Sequence, residues 1–267
     1  MSNSYNPYNP RNCLFTKTDI QAILSNNGCE YVAKNPKLFQ TAMVHSTYVK
    51  KSEYINPLGV VTPLVEKPKD CIPLFDESYE TLEHLGDSVL GAIVCTYLYT
   101  RFPEEDEGFL TDLKKDIVCN EMLGFLSQKI GLDKFYIISR HNEEVCEGRT
   151  NVKRLGDILE AFVGALWVDS TNNFQVVSSF IVSIIETYIN IPKLLLNNRN
   201  YKEQFQRLLQ TKLHQTPKYV MLSSAIGTYT MAATDEKGIH LGIGSSTTKK
   251  QAEQLAAKQA LEKLTST

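Results

Sequence analysis

The segment ETLEHLGDSVL, residues 80–90, sets Glu80, Glu83 and Asp87 three and four positions apart, with Leu82, Leu85, Val89 and Leu90 between them. That spacing predicts a helix with its acids along one stripe and its apolar residues along the other. A second segment, RLGDILEAFVGALWVD (154–169), repeats the arrangement: Asp157 and Glu160 share a stripe among Leu155, Ile158, Leu159, Phe162 and Val163. Carboxylates in such apolar helices end near a core, where an unpaired charge is costly. A divalent cation shared by the two helices removes that cost, and hard oxygen ligands suit Mg²⁺. Acids on a solvated amphipathic helix give the same spacing, so the stripes alone leave both readings open. Small residues beside the acids (Gly86, Ser88, Ala161, Gly164) permit close helix packing and are equally at home in an ordinary core.

Outward from these two segments, apolar residues at helical spacing continue to Leu98, return in 117–130, run through 155–168 and recur in 174–189. Loops are expected at 102–108 and 139–151. Residues 50–78, with Pro57, Pro63, Pro68, Pro73 and Gly59, read as an insertion carrying a short hairpin. Beyond Pro192 the character changes. A helix is expected at 201–213, then strand-like runs at 218–223, 228–233 and 239–243 with Gly227 and Gly238 in the turns, then an Ala- and Lys-rich helix over 249–264. Trp167 is expected in the core, and a structural hydrogen bond is expected at His45 and Ser46. His141, His214 and His240 have no partner at metal-ligand spacing.

The net charge of −2 is unevenly divided. From Arg199 onward ten basic residues face five acidic ones, and the reverse holds before it, as though a polyanion were held by the tail and processed by the body. Within the tail, Thr248 is a helix N-cap candidate followed by Lys249 and Lys250. Lysines in a first helical turn oppose the helix dipole, which makes sense where a phosphate binds. No apolar run reaches membrane-spanning length, and residues 1–13, polar and Asn/Pro-rich, read as a flexible arm without a signal-peptide core. The six scattered cysteines suggest reduced, mostly buried thiols and an intracellular protein, cytoplasmic or nuclear.

The 80–90 segment resembles the ribonuclease III signature, an E-x-L-G-D run opening a catalytic helix. The 154–169 segment resembles that family's G-D-x-x-E-A-x-x-G-A motif with its trailing acid, and EGFLTDLKKDIV (107–118) resembles its connecting helix. The likeness spans about 14–190. It implies a mainly α endonuclease domain over 14–195, a linker at 196–200 and, from the α-β-β-β-α order, an α+β double-stranded RNA-binding domain over 201–267. It further implies that Glu83, Asp87, Asp157 and Glu160 bind catalytic Mg²⁺, for which Mn²⁺ can substitute, with Glu80, Glu107 and Lys153 in support. The expected reaction is metal-assisted hydrolysis of double-stranded RNA, leaving 5′-phosphates, 3′-hydroxyls and short 3′ overhangs, by a homodimer joined through the endonuclease domain. Gln206, Arg207 and Gln210, with Thr248, Lys249 and Lys250, take the positions that touch duplex RNA, read by shape.

Three departures accompany the resemblance. His84 stands where the family places a bulky aromatic that plugs the partner subunit. Ser246 replaces a common glycine, and the Gly227 turn lacks a Pro-His element, which together imply an RNA grip that is either weaker or more dependent on the catalytic dimer. Two other classes compete with the enzyme: an RNA-binding protein that retains the fold without cutting, and a structural dimerisation protein whose acids are only surface. Retention of every core carboxylate argues against the first, and the basic tail against the second.

Overall fold

A computed structural model describes residues 4–55, 59–196, 201–225 and 227–265. The chain divides into two compact units, Met1–Asn190 and Ile191–Thr267. Most of the expected linker, 197–200, lies outside the described residues.

In the first unit, α1 (Lys17–Asn26) begins at a capping box in which Thr16 and Asp19 each accept from the other's backbone N–H. Next come α2 (Pro36–Thr41), a hairpin of β1 (Tyr54–Ile55) and β2 (Val61–Thr62), α3 (Glu80–Arg101), α4 (Glu107–Ile117) and α5 (Asn120–Lys129). The unit finishes with α6 (Arg140–Glu144), α7 (Val152–Asp169) and α8 (Phe174–Tyr188). Helix α7 is the hub, buried along most of its length and packed against α3 and α5. Phe162 meets Phe15, Phe39 and Phe180 at its centre. The crossing of α3 and α7 demands glycine. A Cβ on Gly86 would sit 1.8 Å from the Glu160 carbonyl oxygen, and one on Gly164 would sit 2.2 Å from that of Leu82. These two contacts bring the acidic stripes face to face.

The insertion carries the expected hairpin, with Tyr54 opposite Thr62 and Ile55 opposite Val61. The 139–151 stretch is more ordered than a loop, containing α6 and a 3₁₀ turn at Gly148–Thr150. The N-terminal residues also depart from expectation. From Tyr5 to Asn12 the arm is a fastened strap rather than a free tail. Tyr5 exchanges backbone hydrogen bonds with Pro63 and Val65 and stacks on Tyr54. Asn9 and Asn12 are buried against Ile138, donating to its carbonyl oxygen, and Asn12 also accepts its N–H. A composition that reads as unstructured is ordered here because each buried amide finds a partner. Trp167 is half-buried rather than core. The thiols are not mostly buried as expected: only Cys29 and Cys71 are buried, and Cys13, Cys95 and Cys146 are exposed.

The second unit contains α9 (Ile191–Leu196), α10 (Tyr201–Leu213), β3 (Lys218–Ala225), β4 (Thr228–Thr234), β5 (His240–Ser246) and α11 (Lys249–Thr265). The strands form an antiparallel sheet in the order β3-β4-β5. Phe205 and Leu209 of α10 join Ala233 of β4 and Ala256, Ala257 and Ala260 of α11 in one core. Gly242 and Gly244 let α11 lie directly on β5. The expected α-β-β-β-α order therefore holds, with each strand running slightly longer than its apolar stretch.

Candidate active site and nucleic-acid interface

Where α3 and α7 cross, one carboxylate oxygen from each of Glu83, Asp157 and Glu160 lies within 4.8 Å of the other two. Asp157 is 6% exposed and the two glutamates are half-buried. Among the described residues no protein group donates a hydrogen bond to the side chain of Glu83 or Glu160. Partly buried carboxylates without donors are rare unless a ligand completes them.

The electrostatics follow from that crowding. Burial, then the charges of Asp87, Glu83 and Asp157, push the Glu160 carboxyl up to about 8. Burial, then Asp157 and Glu80, raise Glu83, against the opposing charges of Arg154 and Lys153. Burial raises Asp157 despite the Tyr79 hydrogen bond and the nearby Arg154 and Lys153 charges. A set of hard oxygens that repel one another and lack donors fits a divalent cation.

The remaining expected site residues fall around this cluster. Asp87 is exposed, one turn beyond Glu83 and outside the three-carboxylate group, and after burial its charge is the largest effect on Glu160. Glu80 is exposed at the start of α3 and accepts from Ser78. Lys153 is exposed at the start of α7, close enough for its charge to act on Glu83 and Asp157. Glu107 opens α4, accepts from Thr111 and lies outside the three-carboxylate group. His84 is exposed on α3.

Two residues at the site were not singled out from sequence. Tyr79, fully buried, donates to Asp157 Oδ2 at 3.2 Å, and Arg154 Nη1 donates to the Tyr79 hydroxyl at 3.2 Å. Arg154 also stands 3.8 Å from Asp157. Burial, with smaller electrostatic effects, pushes the Tyr79 phenol up to about 12. Their only signal was adjacency, since Tyr79 precedes the first motif and Arg154 opens the second. His45 has the structural role expected: its Nδ1 accepts from the Thr47 N–H at 3.2 Å, and burial followed by the Arg154 charge pulls its ring down to about 4.

In the second unit Gln206, Arg207 and Gln210 are exposed along α10, and Lys249 and Lys250 are exposed at the start of α11. Thr248 caps α11 by accepting from Gln251 N–H at 3.3 Å. The glutamines, Arg207 and Lys250 line one open groove of about 610 Å³. Lys202, also missed, clamps the groove. Its ammonium bonds Glu253 at 2.7 Å and lies 4.4 Å over the Tyr219 ring, tying α10 to α11 and β3.

The ribonuclease III domain family matches residues 80–171, and the double-stranded RNA binding motif matches residues 201–264. The protein named "Probable ribonuclease 3" in Acanthamoeba polyphaga mimivirus is 32% identical over 263 residues, 94% of this chain. This chain spans only 46% of that larger relative. Ribonuclease 3 of Listeria monocytogenes is 32% identical over 234 residues, covering 86% of this chain and 92% of its own length. Among solved structures, the nuclease domain of ribonuclease III from Campylobacter jejuni aligns at 24% identity with a TM-score of 0.49, over 64% of this chain and 98% of that domain. With a catalytic-domain match, an RNA-binding match in the expected order and a near full-length relative, this chain belongs to the ribonuclease III family of double-stranded RNA endoribonucleases.

Proposed function

We propose that the chain hydrolyses phosphodiester bonds of duplex RNA at a single metal centre held by Glu83, Asp87, Asp157 and Glu160. The observation that carries this reading is the meeting of three donor-less or buried carboxylates from two helices within 4.8 Å. Their oxygens suit Mg²⁺, with Mn²⁺ able to substitute. A bound cation of this kind supplies Lewis acidity at the phosphoryl group and a water nucleophile at neutral pH. The chain's own residues supply the rest. Glu83, Asp157 and Glu160 fix the ligand oxygens from opposite sides of the α3–α7 crossing, and Asp87 extends the site toward solvent. Glu80 and Glu107 support it from the starts of α3 and α4. Lys153 places positive charge where a phosphodiester would approach the acids.

The tail grips the substrate: Gln206, Arg207 and Gln210 meet the minor groove, while Thr248, Lys249 and Lys250 hold phosphate at the α11 N-terminus. Two copies joined through the endonuclease unit place two centres on opposite strands. Products with 5′-phosphates, 3′-hydroxyls and short 3′ overhangs follow. No helix among the described residues is long and apolar enough to cross a membrane, and the free thiols fit a cytoplasmic or nuclear setting.

The test is incubation of the full chain with long duplex RNA, with Mg²⁺ and with chelator. Magnesium-dependent shortening to end-labelled products with 3′ overhangs is expected. Retarded but intact RNA under both conditions overturns the catalytic reading.

A further inference from the structure

Tyr79 sits one residue before the first acidic motif, buried between His45 and Tyr136, whose ring centroids lie 5.9 Å and 6.4 Å from its own. Its backbone is pinned as well, because its N–H donates to the Val44 carbonyl oxygen at 2.8 Å. Ring packing of this kind asks only for an aromatic, and phenylalanine would satisfy it. The hydroxyl does more. It donates to Asp157 Oδ2 and accepts from Arg154 Nη1, each at 3.2 Å, so it lies between an anion and a cation on the same helix. Arg154, 3.8 Å from Asp157, is itself placed by the first turn of α7, where its N–H caps onto Asn151. A hydroxyl with both neighbours charged has one favourable orientation. That orientation fixes which Asp157 oxygen the protein occupies and which it leaves for a ligand.

We propose that Tyr79 is a positioning residue for the metal centre: its hydroxyl holds the Asp157 carboxylate in its ligating orientation, and Arg154 holds the hydroxyl. Groups that orient metal ligands through hydrogen bonds commonly change affinity by 10–100-fold when removed. The proposal rests on the metal-binding reading above, and the experiment separates the two.

Mg²⁺ binding to the full chain without RNA is measured by calorimetry for the wild type, Tyr79→Phe and Glu160→Gln. Tyr79→Phe is expected to bind Mg²⁺ about tenfold more weakly, while its retention of duplex RNA in chelator stays unchanged. A folded Tyr79→Phe with wild-type Mg²⁺ affinity overturns the proposal while leaving the site intact, provided Glu160→Gln has lost binding. A Glu160→Gln variant that binds Mg²⁺ normally overturns the site itself. Should Tyr79→Phe not fold, the wild type labelled at tyrosine ¹³Cζ serves instead. A buried tyrosine resonance is expected to move with added Mg²⁺, and a titration that moves none overturns the proposal.

Discussion

Two positions on α7 carry the same kind of group and treat it in opposite ways. At the C-terminal end Asp169, 7% exposed, receives the Tyr31 hydroxyl at 3.0 Å and the backbone N–H groups of Lys34 and Asn35 at 2.8 and 2.7 Å. Every part of that carboxylate's charge is answered by protein, and in return it fastens the segment that leads into α2. Nine residues earlier, Glu160 faces the charges of Asp87, Glu83 and Asp157 and has no donor among the described residues. A buried charge answered from within is architecture. One left unanswered among its own kind costs stability unless something else binds. The second unit shows a third case, in which Lys249 and Lys250 stay exposed and cost the fold little.

The largest effect that could break this contrast is on chemistry. Glu160→Gln should lower single-turnover cleavage of duplex RNA on the order of 10³-fold while leaving the fold and duplex retention unchanged. A variant cutting at the normal rate would mean that Glu160 does not lie at the reacting centre. Asp169→Ala should behave conversely. It strands the two backbone donors of Lys34 and Asn35, while the Tyr31 hydroxyl keeps its 2.6 Å bond to the Asp169 carbonyl oxygen, so urea unfolding should show a loss of about 3 kcal/mol. Cleavage per folded molecule should hold; a folded Asp169→Ala protein with no cleavage would dissolve the distinction.

A smaller effect belongs to the exposed charges. Replacing Lys249 and Lys250 together by alanine should weaken duplex retention about tenfold and reduce the slope of log affinity against log salt by about 2. Filter binding across a salt series reads both. An unchanged slope would remove the α11 N-terminus from the RNA interface.

How much of this was legible beforehand follows from the range over which each feature is encoded. Glu83 on α3 and Asp157 and Glu160 on α7 lie along helical stripes, and the helical period is local, so the stripes were legible from spacing, while their convergence was implied by the family resemblance. The tail's elements were likewise legible from Gly227, Gly238 and the alanine-rich last helix. Tyr79 was not, because its hydroxyl matters only once the fold sets it against Asp157, 78 residues away in sequence. The N-terminal strap was hidden for a related reason. Asn9 and Asn12 look like solvated polar residues until the Ile138 backbone satisfies them. Composition cannot report a partner more than a hundred residues distant.

The remaining prediction tests the burial and crowding of the Glu160 carboxyl, in the absence of metal. A carboxyl raised from its ordinary 4.5 to about 8 keeps its proton in the folded chain after the unfolded chain has lost it. Between those two values the folded state binds more protons, so raising the pH through that window destabilises the metal-free protein. Glu160→Gln cannot lose such a proton and should escape this penalty. In chelator at pH 8 it should exceed the wild type by about 1–2 kcal/mol, a figure reduced from the full shift because the group is partly solvated. At pH 4.5 the gap should nearly close. Added Mg²⁺ should reverse the order at pH 8, because it stabilises only the protein that can offer it the deprotonated carboxylate. Urea unfolding at both pH values, with chelator and with Mg²⁺, measures all of these terms. Parallel pH profiles for the two proteins in chelator would show that Glu160 bears no penalty from burial and crowding, and that it is held as comfortably as Asp169.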